Sequence, residues 1–415
     1  MPLPEIQNTV IDRFLKYVTF DTQSAEESKI FPTTEKQKLL GQYLKDELIQ
    51  MGLQEVEFDN FGYVYATLVS NLNKKVPTIG LIAHMDTSPD VSGANVKAVI
   101  HENYTGGEIK YPGNPDQKLL PEENPALKKQ IGHDIITSDG TTLLGADNKA
   151  GIAEIFDAIH FFVQHPEIKH GRIRIAITPD EEVGMGTRYF DIKKFGCDYA
   201  YTIDGETLGE VENETFCADS LSLIITGVNL HPGYAKNKLV NSVKIAAEII
   251  ENLPKDSLSP ETTEKREGYV HPHHIHGGVE ETIVKFLIRD FTVEGLKEKE
   301  QSIEKIARKV MKRHPRARLE VKVDESYRNM WYVLEKYPEV VEKAIQAVQA
   351  SGITPVRGAI RGGTDGSRLC YEGLPTPNIF TGGHNFHSKT EWISIQDMKK
   401  AVEVIINLIL IWAEE

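Results

Sequence analysis

Apolar positions along this chain fall into two rhythms. Repeats of three and four residues predict helices over 5–18, with Ile6, Val10, Phe14 and Val18 on one side, and over 34–51, with Leu39, Leu40, Tyr43, Leu44 and Leu48 and a stop at Gly52. Ile152, Ile155, Phe156, Ile159 and Phe162 predict a third helix, and Val340, Ala344, Ile345 and Val348 another over 338–350. A last helix starts near Ser394, with Asp397 three residues on as a cap-like pair. Alternation predicts a hairpin: Val56 and Phe58, a turn at Asp59-Asn60-Phe61-Gly62, then Val64, Ala66 and Leu68. A short continuous apolar run at 78–83 fits a strand buried on both faces, and 172–177 and 199–203 read as two further strands. The stretch 101–140 is polar and rich in Gly and Pro, and reads as loops and short strands.

Strands alternating with helices imply a mostly parallel α/β sheet with helices on both faces. The texture changes between 213 and 326, where the order strand, helix, strand, strand, helix, strand suggests a ferredoxin-like α+β layer. The expected organisation is therefore a catalytic domain in two parts, 1–212 and 327–415, with a separate domain of 213–326 inserted as a lid. The chain has 415 residues and a net charge of -14, which argues against nucleic acid or an anionic membrane as partner. Its three cysteines have no close-spaced pairing, the start has no signal-peptide pattern, and no apolar run is long enough to span a bilayer, so a cytoplasmic location is expected.

The three strands share one property: each ends in acids or His. The first runs into His84-Met85-Asp86, the second into Asp180-Glu181-Glu182 and the third into Asp204-Gly205-Glu206. Ligands of open α/β sheets gather at such carboxyl ends. Thr141-Thr142-Leu143-Leu144-Gly145-Ala146-Asp147 sets one more carboxylate between a Gly-marked turn and a helix. Asp there is also a common N-cap, and Glu181-Glu182 alone could be a solvated acidic turn. Together with His387 the set offers nitrogen and oxygen ligands without sulfur, suited to a pair of Zn2+ ions. Asp147 would bridge them, His84 and Asp204 would complete one site, and Glu182 and His387 the other. Glu181 would remain free as general base, and Asp86 would orient the far nitrogen of His84. The tract His271-Pro272-His273-His274-Ile275-His276 lies in an extended segment whose alternate residues face opposite sides, and is not read as a metal site.

These segments, with Arg361 to Gly366 and Thr381-Gly382-Gly383 through His387, occur in the order found in the M20 family of dinuclear zinc peptidases, which the chain resembles over nearly its whole length. Within that family the likeness is greatest to the aminopeptidases of tripeptides. The resemblance implies a catalytic domain with an inserted lid, two Zn2+ per chain, a short peptide as substrate, the roles given above, and in some members pairing of two copies through the lids. It also points to His231 for the oxyanion and to Arg289 and Arg361 for the substrate. The chain departs from the family at Asn148, Glu206 and His384. Alternatives are a relative acting on dipeptides or N-acyl amino acids, and a catalytically silent binding protein on this fold.

Overall fold

Strand Ile79–His84 is buried along its whole length: strands pair with both of its edges and helix Ala146–Gln164 packs on it. Ile173–Thr178 and Tyr199–Gly205 both run parallel to it, so all three deliver their last residues to one rim. The computed structural model describes Pro4, Ile6 and residues 9–414. Its largest sheet has eight strands, in the order 54–58, 64–68, 173–178, 79–84, 199–205, 378–380, 210–215 and 356–360. The centre is parallel; the hairpin 54–58/64–68 adds antiparallel strands on one side and 210–215 pairs antiparallel with 378–380 on the other.

Helix Ala146–Gln164 packs against strands 79–84 and 199–205 and against helices Val10–Tyr17 and Ile395–Ala413. Nearly all of its residues are buried, and this surround of apolar neighbours is what stabilises it. The first helix begins at Val10, later than the pattern suggested; Glu5, Gln7 and Asn8 of the expected span lie outside the described residues. Strand Val64–Leu68 also differs from expectation. Alternation implied one wet face, yet four of its five residues are buried. Tyr65 joins a cluster with Tyr63, Phe190 and Phe195, so both faces are covered.

By contact density the chain divides into two compact units. One comprises the chain up to Asn213, Tyr332–Gly358 and Thr364 onwards; the other is Glu214–Trp331 with Ala359–Gly363. Within the second unit an antiparallel sheet has the order 269–277, 281–290, 217–226 and 318–327. Helices Ser242–Glu251 and Val293–Met311 both pack on it, a ferredoxin-like layout. Residues 359–363, which the sequence assigned to the catalytic domain, group with this unit. Arg361 ties them there, donating to the carbonyls of Lys265 and Glu267 and lying over the rings of Phe216 and Tyr269. Among the described residues no helix is long and apolar enough to cross a membrane.

Candidate metal centre

The loop that carries Asp147 is turned by Gly145, whose φ of +86° is open to glycine at little cost. Asp147 and Asn148 keep non-helical backbone angles, joined by a cis peptide, before the helix settles. The Asp147 carboxylate faces two imidazoles: Oδ1 is 2.8 Å from His84 Nε2, and Oδ2 is 3.3 Å from His387 Nε2. His84 Nε2 also lies 3.4 Å from Asp204 Oδ1, and His387 Nε2 lies 2.7 Å from Glu182 Oε2. Two groups result, His84–Asp147–Asp204 and Asp147–Glu182–His387, each with its ligand atoms within 4.8 Å of one another. Asp147 belongs to both, one oxygen toward each.

The elements explain this convergence. His84 ends strand 79–84, and Asp204 sits at the end of the neighbouring strand 199–205. Glu181 and Glu182 open a short turn after strand 173–178. That turn is held from two sides. Asp180, at a positive φ of 57°, accepts from Thr33 N at 2.6 Å and from Gln37 Nε2 at 2.7 Å. Asp86, fully buried, accepts from Glu181 N at 3.0 Å and Glu182 N at 3.2 Å. Asp86 also flanks His84: its main-chain oxygen is 3.1 Å and its carboxylate 3.3 Å from Nδ1. The partner of the far imidazole nitrogen thus also braces the glutamate turn, a role the sequence did not reveal.

Crowding of carboxylates sets the electrostatics. Burial raises Glu181 well above the usual carboxylate range, with Asp365, Asp204 and Glu182 adding repulsion and His84 opposing it. Burial, then the Asp147 charge, pushes Glu182 to about 8. Asp204 rises to about 6, from burial offset by His84. Burial disfavours charge on His387, but Asp147 and Glu182 outweigh it and push this imidazole to about 11. Three carboxylates and two imidazoles so arranged call for positive charge at both points. The donor set fits divalent zinc: nitrogen and oxygen only, with Glu182 Oε1 buried and lacking any hydrogen-bond partner. Glu181 differs from its neighbour. Its carboxylate belongs to neither group.

The profile of peptidase family M20/M25/M40 matches residues 138–411. The chain belongs to peptidase family M20/M25/M40. It is 48% identical over 406 residues to a protein named Peptidase T from Caldanaerobacter subterraneus subsp. tengcongensis, covering 98% of this chain and 99% of that relative. In fold it is similar to the crystal structure of the aminopeptidase PepT from Bacillus cereus ATCC 10987, with a TM-score of 0.75, 24% identity and coverage of 98% and 99%. It is also similar to a Bacillus subtilis protein described as a dinuclear metal-binding peptidase of the M20 family, with a TM-score of 0.65, 14% identity and 98% of each chain covered. Family membership makes this chain a peptidase.

This M20 peptidase carries further residues singled out from sequence. His231, Arg289 and Arg361 belong to the second unit. His231 is exposed and accepts from Gly233 N through Nδ1. Arg289 donates to the carbonyl of Ile288 at 3.0 Å and lies over the Tyr327 ring. His384 joins neither ligand group; it stacks on Trp392 at 4.3 Å between ring centres. The histidines of 271–276 form no such group either among the described residues. Two carboxylates escaped sequence reasoning. Asp365 is buried and accepts from Thr178 Oγ1 at 2.7 Å, close enough to Gly186 that a Cβ there would meet it at 2.2 Å. The Gly-rich loop 361–366, which contains it, is a signal for it. Glu391 had no signal beyond standing four residues after His387.

Proposed function

We propose that this peptidase releases the N-terminal residue from tripeptides with a pair of zinc ions held by His84, Asp147, Glu182, Asp204 and His387. The observation that carries the reading is Asp147 with one oxygen toward each of two ligand groups. The relatives named Peptidase T, at nearly half identity over almost the whole chain, favour the tripeptide. Bound there, two metal ions would supply Lewis acidity at the scissile carbonyl and acidify a water to a pKa of about 7.

The chain's own groups account for the proton. Glu181 is the base: a carboxylate outside the ligand set, whose raised affinity for a proton suits taking one from water near neutrality and passing it to the leaving amine. Asp86 orients His84 and fixes the main chain of Glu181 and Glu182, so base and ligand are set by one buried carboxylate. His231 is assigned to the oxyanion, and Arg289 and Arg361 to the substrate, from the family resemblance. A cytoplasmic site of action and pairing of two copies through the second unit complete the reading.

The test is hydrolysis of Ala-Ala-Ala, Ala-Ala and acetyl-alanine, each with and without chelator, alongside elemental analysis. Turnover of the tripeptide, lost on chelation and restored by Zn2+, with two metals per chain, is the expected result. Hydrolysis of acetyl-alanine alone would move the substrate to N-acyl amino acids. Activity untouched by chelation, or no hydrolysis of any of the three, would remove the metal reading.

A further inference from the structure

Glu391 is only 1% exposed, yet carries a carboxylate. An anion buried without partners is costly, so its bonds show what holds it there. One oxygen, Oε2, accepts from Leu144 N at 2.7 Å and from Gly145 N at 2.8 Å. The other, Oε1, accepts from Asp147 N at 3.1 Å. All three amides belong to the turn that presents Asp147, more than 240 residues earlier in the chain. A main-chain carbonyl has one oxygen and could not span this turn. A carboxylate has two, each able to accept more than one bond. Fixing the amides on both sides of Gly145 removes the freedom that a left-handed glycine would otherwise give the turn.

We propose that Glu391 is a positioning residue for the metal centre: it sets the backbone of the Asp147 turn, and so aims the carboxylate that both ligand groups share. The inference rests on the metal reading above. It has a consequence that an ordinary ligand would not have. His387 belongs to one group only, whereas Asp147 belongs to both. Disturbing Glu391 therefore weakens both cation sites together. The loop that carries it also carries His387, and it is tied to itself through Asn385, Ser388 and Thr390, so ligand and clamp arrive as one piece.

Glu391→Gln keeps size and shape but replaces one accepting oxygen with an NH2 that faces an amide donor. Metal-stripped protein titrated with Zn2+ by calorimetry should show two sites in the wild type. In Glu391→Gln both should weaken about 10- to 100-fold, as when a partner behind a ligand is lost. In His387→Ala one should weaken far more than the other. Metal-free Glu391→Gln should melt somewhat below metal-free wild type, because its NH2 leaves a buried amide donor unpaired. Wild-type affinity in Glu391→Gln, or loss confined to one site, overturns the proposal. Failure of the wild type to bind two metals would instead sink the metal reading itself. Should Glu391→Gln not fold, hydrogen exchange on metal-free wild type decides. The amides of Leu144, Gly145 and Asp147 should exchange slowly before any metal is added. Protection acquired only with metal would mean that the metal, not Glu391, orders the turn.

Discussion

Gly151→Ala tests how closely helix 146–164 must lie against the strand that ends in Asp204. Two effects of opposite sign compete. Alanine is favoured over glycine inside a helix by about 1 kcal/mol, so with room to spare the substitution would stabilise the protein. There is no room. A Cβ at Gly151 would sit 2.0 Å from the carbonyl oxygen of Ile203 and 2.4 Å from Asn148 Oδ1. Real Cβ contacts essentially never fall under 3.0 Å, so helix and strand must separate by roughly 1 Å. The strand cannot yield cheaply, because Thr202 and Ile203 are paired with strand 378–380 and Thr202 with Ile82. Asn148 cannot turn away freely either, since its Oδ1 accepts from Gly151 N at 3.2 Å.

Overpacking of this kind costs about 1–3 kcal/mol, which offsets or exceeds the gain in helix propensity and leaves a net loss of up to about 2 kcal/mol. The larger effect falls on the site. Ile203 precedes Asp204, and Asn148 follows Asp147, so the forced separation acts between two ligands of one group. A displacement of 1 Å at a reacting centre costs on the order of 10²-fold in rate. Urea unfolding and tripeptide turnover measure the two quantities separately. A Gly151→Ala protein more stable than wild type, with turnover within about twofold, would refute the close-approach argument.

Three further outcomes are expected. Glu181→Gln should lower kcat by about 10²- to 10⁴-fold while elemental analysis still finds both metals; metal lost with the substitution would place Glu181 among the ligands. Stripping metal should lower the melting temperature, since an ion held at 100 times its Kd stabilises by about 2.7 kcal/mol; a melt indifferent to chelator and to added Zn2+ would contradict the metal centre. Burial depresses His384 from 6.5 to about 4, with Lys129 adding to it, so the unfolded chain takes the proton first, and the stability is whole above 6.5 and lost as pH falls toward 4. Between pH 7.5 and 4.5 wild type should therefore lose about 2.5 kcal/mol more than His384→Phe in urea unfolding, and equal losses would mean that His384 is not held neutral.

The parts of the site that could be read from sequence are those whose signal is local. Runs 79–84 and 173–178 are wholly buried and, Arg174 apart, apolar until their last residue, so the His and acids at their ends stand out at the rim. His84, Glu181, Glu182 and Asp204 are legible for that reason, and Asp147 because a glycine turn and a helix bracket it. Alternation misled at strand 64–68, since pleating reports which face is apolar and not whether a second layer covers the other. Asp365 and Glu391 act differently. Asp365 is placed by a hydroxyl from strand 173–178 and by the absent side chain of Gly186, and Glu391 by three main-chain amides that carry no letter at all. A backbone donor is the same in every sequence, so a carboxylate that serves it looks like any polar loop residue until the fold brings the two together. The first layer of a site is therefore written in residue types at strand ends, while the layer that aims it is written in distances. That is why a substitution such as Glu391→Gln, nearly silent by sequence logic, is expected to act on both metal positions at once.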